Sequence, residues 1–427
     1  MIFKNKKITY ISTSVFVLII CQSIFSLVDS YFISFIDDKA LSAVNTVSSL
    51  NIVFYALGNV IGIGCLSIMS RCFEDDDKDK YFGTGLFLSL ILSISIFILL
   101  KSLSGNIFDV IISNNSEELR KIVNDYFEGS LYHYVMIIPT TTIIYSLRSR
   151  FKTKFVMFNQ ILWLLINIIL TYFFVIDDYF NIKLGIFGAG LSTSISSLGM
   201  FLSIWIYVKY YVGFTLRIKL DVIPKIINIG FPSALESIIV YIYTIVLIHS
   251  ATSIGVNSVS ALSIGLILIQ AAFMPITSLS LAIVPFLGHE LRKENILRFK
   301  MIYRKVNVYT LLFSMFTSLI LYINLNYIVS IYTKSDVIVY ETRIVTNYLI
   351  VNLVFSSVIH VNNALFQSCG ETRKSLYSIM TRFITFIIPS FLYKEITLNN
   401  LMALSTFAFF IQMLVSQIFV NKLIRRF

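Results

Sequence analysis

Apolar runs of about 20 residues recur from one end of the chain to the other, separated by short polar segments. A run of that length crosses a hydrocarbon core of roughly 30 Å as a helix, with every backbone N–H and C=O bonded inside the segment. The pattern predicts twelve helices, at about 8–35, 45–70, 81–101, 120–146, 155–177, 186–209, 225–251, 258–287, 300–323, 341–367, 373–392 and 399–421. Several exceed the minimum, which predicts tilt or extension into the interface. The ten-residue alternation of a membrane β-barrel is absent. The N-terminus, Lys4 to Lys7 before an apolar run, has the outline of a signal peptide. That run continues to Asp29 without a small-residue cleavage site, so it reads as the first span.

Composition agrees with this pattern. Hydrophobic residues make up 57% of the 427 and charged residues only 13%, with a mean hydropathy of +0.82. A soluble domain would carry roughly a quarter of its residues as charges. The net charge of +11 resides in short loops between apolar spans and forms no basic stripe with interleaved aromatics, which argues against nucleic acid as a partner. With the N-terminus placed in the cytoplasm, cytoplasmic segments hold 25 of the 34 Lys and Arg residues and the opposite side 8, leaving Arg382 inside a span. Both termini are therefore expected in the cytoplasm, and the chain in a plasma or bacterial inner membrane. Cys21, Cys65, Cys72 and Cys369 have no metal-ligand spacing, and no disulfide framework or metal site is expected.

The second half echoes the first. A shift of about 218 residues places Ala43 on Ala261, the loop from Ser70 on Gly288, and Lys80 on Arg298. An even number of spans in each half predicts parallel repeats about an axis along the membrane normal. The expected fold is an all-α polytopic membrane protein of twelve transmembrane helices. They would form two six-helix lobes, residues 1–215 and 216–427, related by a pseudo-twofold axis with a polar pathway between them.

Two of the 23 acidic residues fall well inside spans, Asp29 in the first and Glu236 in the seventh, whereas acids such as Glu74–Asp79 read as loop residues. An ionisable group in hydrocarbon is costly, about 2.5–3.5 kcal/mol on insertion scales, and normally faces a cavity or a partner. Gln22, Ser26 and Asp29 share one helix face, and a carboxyl there is suited to proton exchange. Glu236 follows Pro232, and Ser233, Glu236, Tyr243 and Ser250 share a face. It is either a cation-binding group or a structural carboxylate satisfied by a neighbouring helix. The tenth span carries the longest polar stripe: Asn352, Ser356, His360, Asn363 and Gln367. Shorter stripes are Ser48, Asn51, Tyr55 and Asn59 in the second span and Gln160, Asn167 and Thr171 in the fifth. Such residues either line a pathway or join helices to one another. His360 is a candidate proton relay or interhelical hydrogen-bonder, and His133 is placed near the outer end of its span. No HExxH, nucleophile–base pair or GxxxxGK[ST] loop is present, so neither an enzyme nor an ATP hydrolase is expected.

Several stretches are similar to the multidrug and toxic compound extrusion (MATE) transporters. They are Val28–Ile33 followed by Lys39–Val44, Ile229–Ser233, Ile254–Ala261, Leu184–Gly190 and Gln367–Arg373, in that family's order and spacing. The resemblance implies two lobes in a V that export organic, cationic and amphipathic compounds by antiport with protons or sodium ions. No other cofactor is implied; the expected partners are a small organic substrate and the lipid bilayer, and the expected state is a monomer. Asp29 matches the family's first-helix aspartate, which implies ion coupling in the N-terminal lobe. Asn167 matches a fifth-helix asparagine, with Thr171 where the family has a carboxylate one turn later. Glu236 lies closer to Pro232 than the seventh-helix glutamate of the sodium-coupled branch lies to its proline, and Ser356 to His360 occupy the region of that branch's tenth-helix aspartate. The alternative is a lipid-linked oligosaccharide or lipid flippase of the same superfamily. That function calls for basic groups around a pyrophosphate, and Arg382 alone lies inside a span.

Overall fold

The computed structural model describes residues 6–33, 44, 47, 50–103, 117–176, 184–392 and 397–426. Among these residues there are twelve long helices and no strand. They are α1 (Lys6–Ile33), α2 (Leu50–Arg71), α3 (Asp75–Leu103), α4 (Glu117–Ser149), α5 (Lys154–Val175) and α6 (Gly185–Tyr207), then α7 (Ile223–Thr252), α8 (Val256–Arg292), α9 (Ile296–Tyr332), α10 (Asp336–Cys369), α11 (Thr372–Leu392) and α12 (Leu398–Ile424). Each predicted span has its helix, and Val44 and Val47 ahead of α2 are also helical. Ten are long and apolar enough to cross a membrane. Of the other two, α1 has its described apolar stretch at Ile11–Cys21, and α4 opens on the charged turn Glu117–Lys121. The chain is an all-α polytopic membrane protein.

Residues 17–231 form one compact unit; residues 232–427 form the other, together with the start of α1. Within the first, α2 packs on α3 and α4, α4 on α3 and α6, and α5 on α6. Within the second, the same five pairings recur with each helix number raised by six, and α11 also touches α10. Helices α4 and α10 are thus the centres of their units.

Burial follows the logic of a bilayer. On α5 Phe158, Leu162, Leu165, Ile169 and Phe173 are exposed along one apolar stripe at helical spacing, whereas Asn159, Asn167 and Thr171 are buried. Water would reverse that preference; hydrocarbon imposes it, because a polar group facing lipid has no partner. Helix contacts then rest on small residues, since lipid tails are as apolar as leucine. The α4–α6 crossing shows this: a Cβ on Gly129 would sit 2.4 Å from the Phe187 carbonyl oxygen, and one on Gly190 2.5 Å from that of Tyr126. Ser194 adds a 2.6 Å hydrogen bond to the Gly129 carbonyl across the same contact.

The structure departs from the predicted boundaries mainly in the second half. Helix α9 runs to Tyr332 rather than ending near 323, α8 extends to Arg292, and α10 begins at Asp336. In each case the apolar run ends before the helix does, and hydropathy marks only the apolar part.

Candidate functional site

The polar residues of the first unit sort into separate small groups. His133 lies mid-way along α4, not near its end as the sequence suggested. Its Nδ1 meets Ser197 Oγ on α6 at 2.5 Å and its Nε2 meets Asn51 Oδ1 on α2 at 3.2 Å. One imidazole therefore ties the central helix to two neighbours. One helical turn beyond Tyr55 on α2, Asn59 accepts a 3.1 Å hydrogen bond from the hydroxyl of Tyr145 on α4. Asn167 and Thr171, both fully buried on α5, converge on Ser192 of α6, at 3.5 and 2.6 Å. The amide oxygen of Asn167 keeps no partner. Gln22, Ser26 and Asp29 belong to α1, but their side chains lie outside the described residues, as do Lys39–Ala43.

The second unit differs in carrying opposite charges mid-way along its helices, whereas the buried Asp79 and Arg148 of the first lie near the ends of α3 and α4. Pro232, which gives α7 no backbone N–H, is followed one turn later by Glu236. Both carboxylate oxygens of Glu236 accept hydrogen bonds: Oε1 from Asn363 Nδ2 on α10 at 2.5 Å, Oε2 from Ser375 Oγ on α11 at 2.6 Å. Two turns further along α11, Arg382 is buried at 6% exposure. It does not snorkel towards an interface. Its guanidinium carbon lies 4.5 Å from the ring centre of Tyr243 and 4.3 Å from that of Phe409. Two aromatic faces offset part of the cost of burying the cation, about 2 kcal/mol each when desolvated.

Arg382 lies within electrostatic range of Glu236 and of His360, yet among the described residues it makes no ion pair at contact distance, and its Nε has no hydrogen-bond partner. Glu236 spends its oxygens on neutral donors, so the two charges balance through space without touching.

The rest of the α10 stripe divides between this site and the helix contacts. Tyr243 donates to or accepts from Ser405 on α12 at 2.7 Å, and Asn352 reaches the same hydroxyl at 3.5 Å. His360 stands edge-on to Phe273 of α8, ring centres 4.6 Å apart. Gln367 is buried with its Oε1 unpartnered, as are Asn363 Oδ1 and Asn352 Oδ1. Ser356 is half-buried on the same helix. The second unit thus holds two polar groups, Glu236 with Asn363 and Ser375, and Tyr243 with Ser405, Asn352 and the overlying Arg382.

Two of those connectors, Ser375 and Ser405, carry no sequence signal, because a lone serine on an apolar helix looks like any other. Asn362 was also missed: on another face of α10 it accepts from Tyr303 at 2.6 Å and donates to Ser416 at 2.9 Å, joining α9 and α12. Its i, i−10 offset from Asn352 was the available clue, but it lies off the stripe. Among the described residues no group of three or more His, Cys, Asp or Glu side chains could hold a metal ion.

The MatE family model matches the chain twice, over residues 15–173 and 232–392. This chain belongs to the MatE family. The two matches begin 217 residues apart, beside the shift of about 218 read from the sequence. MATE transporters are also its structural likeness. An outward-facing multidrug resistance MATE transporter of the MOP superfamily superposes with a TM-score of 0.88 at 20% identity, over 99% of this chain and 96% of that one. A MOP superfamily transporter from Pyrococcus furiosus Vc1, described as having a binding pocket of reverse polarity, gives 0.88 at 20% identity over 98% and 96%. A MATE transporter in its bent conformation gives 0.87 at 19% over 99% and 96%. The protein is a membrane transporter of this family.

Proposed function

We propose that this MatE transporter is a secondary active exporter of organic amphipathic compounds, driven by antiport with protons or sodium ions. The observation that supports it is the carboxylate of Glu236, held inside a membrane-spanning unit by Asn363 and Ser375. A transporter that trades an ion for a substrate needs a group whose charge can be neutralised within the membrane, and intramembrane acids serve that role. Asn363 and Ser375 suit either state of the acid. The amide can present its unpartnered oxygen to a protonated carboxyl, and the hydroxyl can donate or accept. Asp29 is proposed as the corresponding acid of the first half, on the family resemblance. The cationic class of substrate rests on that resemblance as well. The protein is read as a monomer of the plasma or bacterial inner membrane with both termini cytoplasmic. It is not an enzyme and needs no cofactor beyond the coupling ion.

The test uses everted membrane vesicles and a panel of fluorescent amphipathic dyes. Uptake should follow an imposed proton or sodium gradient and fall at least tenfold in Glu236→Gln. Uptake that persists with both gradients collapsed would sink the antiport reading.

One observation favours the flippase alternative. Among the described residues Arg382 Nε has no hydrogen-bond partner, and an unused guanidinium donor suits a phosphate. Arg382→Gln separates the two readings: it should abolish movement of a phosphate-bearing lipid if that is the substrate, while leaving dye export in place.

A further inference from the structure

The chain that joins the two units has the composition of an ordinary loop, yet it is tied down along its length. After α6 the backbone winds through one wide π-helical turn at Val208–Val212, reverses at Gly213 with φ 72°, and runs through an irregular segment and a short 3-10 turn at Leu220–Val222 to Ile223, where α7 begins. Its side chains are largely exposed from Thr215 to Leu220. Its backbone is not free.

Asp79 is the first anchor. The acidic run that reads as loop is in fact the first turns of α3, where carboxylates are favoured by the helix N-terminus. Asp79, the last of the run, is only 4% exposed. Its Oδ1 accepts from Arg150, just beyond α4, at 2.5 Å. Its Oδ2 accepts from the Thr215 backbone N–H at 3.0 Å and the Thr215 hydroxyl at 2.6 Å. The Arg150 guanidinium lies 3.8 Å from the ring centre of Phe214, which in turn stacks on Phe82 of α3 at 4.0 Å.

Thr84, two residues beyond Phe82, is the second anchor. Its hydroxyl accepts from the Lys219 backbone N–H at 2.9 Å and lies 3.2 Å from the Lys219 carbonyl oxygen as donor. Between the two anchors, Gly83 lets the segment lie directly on the helix: a Cβ there would fall 2.6 Å from the Arg217 carbonyl oxygen and 2.8 Å from its nitrogen. The contact continues into α7, where a Cβ on Gly64 of α2 would come within 2.4 Å of the Ile226 carbonyl oxygen. The boundary between the two compact units falls after Phe231, inside α7 and next to Pro232.

We propose that residues 213–231 form a strap locked onto the first unit by Asp79, Thr84 and the bare backbone at Gly83. In this arrangement the loop is part of the first unit's rigid body as far as Gly230, whose bare backbone lies against that of Val60 on α2, and the chain leaves that body at Pro232 of α7. The strap needs no assumption about what is transported.

Limited trypsin digestion of the full-length protein in detergent micelles, with cleavage sites quantified by mass spectrometry, tests it. Lys219 sits in the strap, and Lys293 in the turn after α8 is an exposed reference site. Cleavage after Lys219 is expected at least tenfold more slowly than after Lys293, despite the exposed Lys219 side chain. Asp79→Ala and Gly83→Ala should each raise the Lys219 rate at least tenfold and leave the Lys293 rate unchanged. Equal rates at the two sites in the unaltered protein, or a Lys219 rate that either variant leaves as it was, would overturn the proposal. If Asp79→Ala unfolds the whole protein, which a rise at Lys293 would reveal, Thr84→Val takes its place with the same expected result.

Discussion

The two units pack their helices in the same pairs but fill the spaces between them with different chemistry. In the first, the centre of α4 is bridged by a histidine between neutral partners, and its buried ion pair sits at the α3 end with Asp79 and Arg150. In the second, the ionic groups are inside the bundle, with Glu236 and Arg382 held apart by neutral donors and aromatic rings. Helix pairing depends on the spacing of small and apolar residues, which a duplicated sequence can keep while its polar side chains diverge. Chemistry depends on one or two side chains, and each half is free to set its own.

The sharpest way to break this comparison is to remove one charge from the second unit. Glu236→Ala should cost about 3–5 kcal/mol of stability, because it leaves Arg382 buried without a counter-charge. Arg382→Met in the same chain should restore most of the loss. Thermal unfolding in detergent checks both, and a Glu236→Ala loss no greater than that of a neutral hydrogen bond would remove the distinction between the halves.

The next largest effect concerns close approach. Gly129→Ala meets backbone atoms of α6, whereas the nearest atoms to a Cβ on Gly265 belong to the side chains of Val345, Leu349 and Thr346. Overpacking costs about 1–3 kcal/mol, and the same unfolding assay should place Gly129→Ala at the upper end and Gly265→Ala at the lower. His133→Ala should follow, at roughly 1–3 kcal/mol for the polar groups of Asn51 and Ser197 left without their partner. Asn167→Ala, which removes one long hydrogen bond, should cost about 0.6 kcal/mol, the average measured for such contacts in a membrane. Smallest of all, Asp76→Ala should leave the melting temperature unchanged, because its 2.6 Å pair with Arg217 is exposed on both sides.

The helices were legible because a bilayer forces long apolar runs, and the repeat because its loop charges recur at a fixed shift. The two faces of α5 could be read as well: Asn167 and Thr171 stand out against a leucine and phenylalanine background. Partners were not legible. Nothing local tells that Glu236 meets Ser375, 139 residues away, since the meeting depends on how α7, α10 and α11 cross. Asp79 was hidden for another reason. It ends a run of acids that reads as solvated, and only the turn of α3 carries it inward to Arg150 and Thr215. The shared boundary error, at the ends of α8, α9 and α10, came from treating the apolar run as the helix.

Those overruns have a practical use. A helix of 37 residues, the length of both α8 and α9, is roughly 55 Å long at about 1.5 Å per residue. The hydrocarbon core is only about 30 Å thick. Even with ordinary tilt, α9 is longer than the core by several helical turns, and its last turns stay packed in the bundle through the buried Leu325 and Val329. A soluble reporter domain fused in helical register at that overhang would inherit the orientation of its unit, giving a small membrane protein a visible handle for imaging.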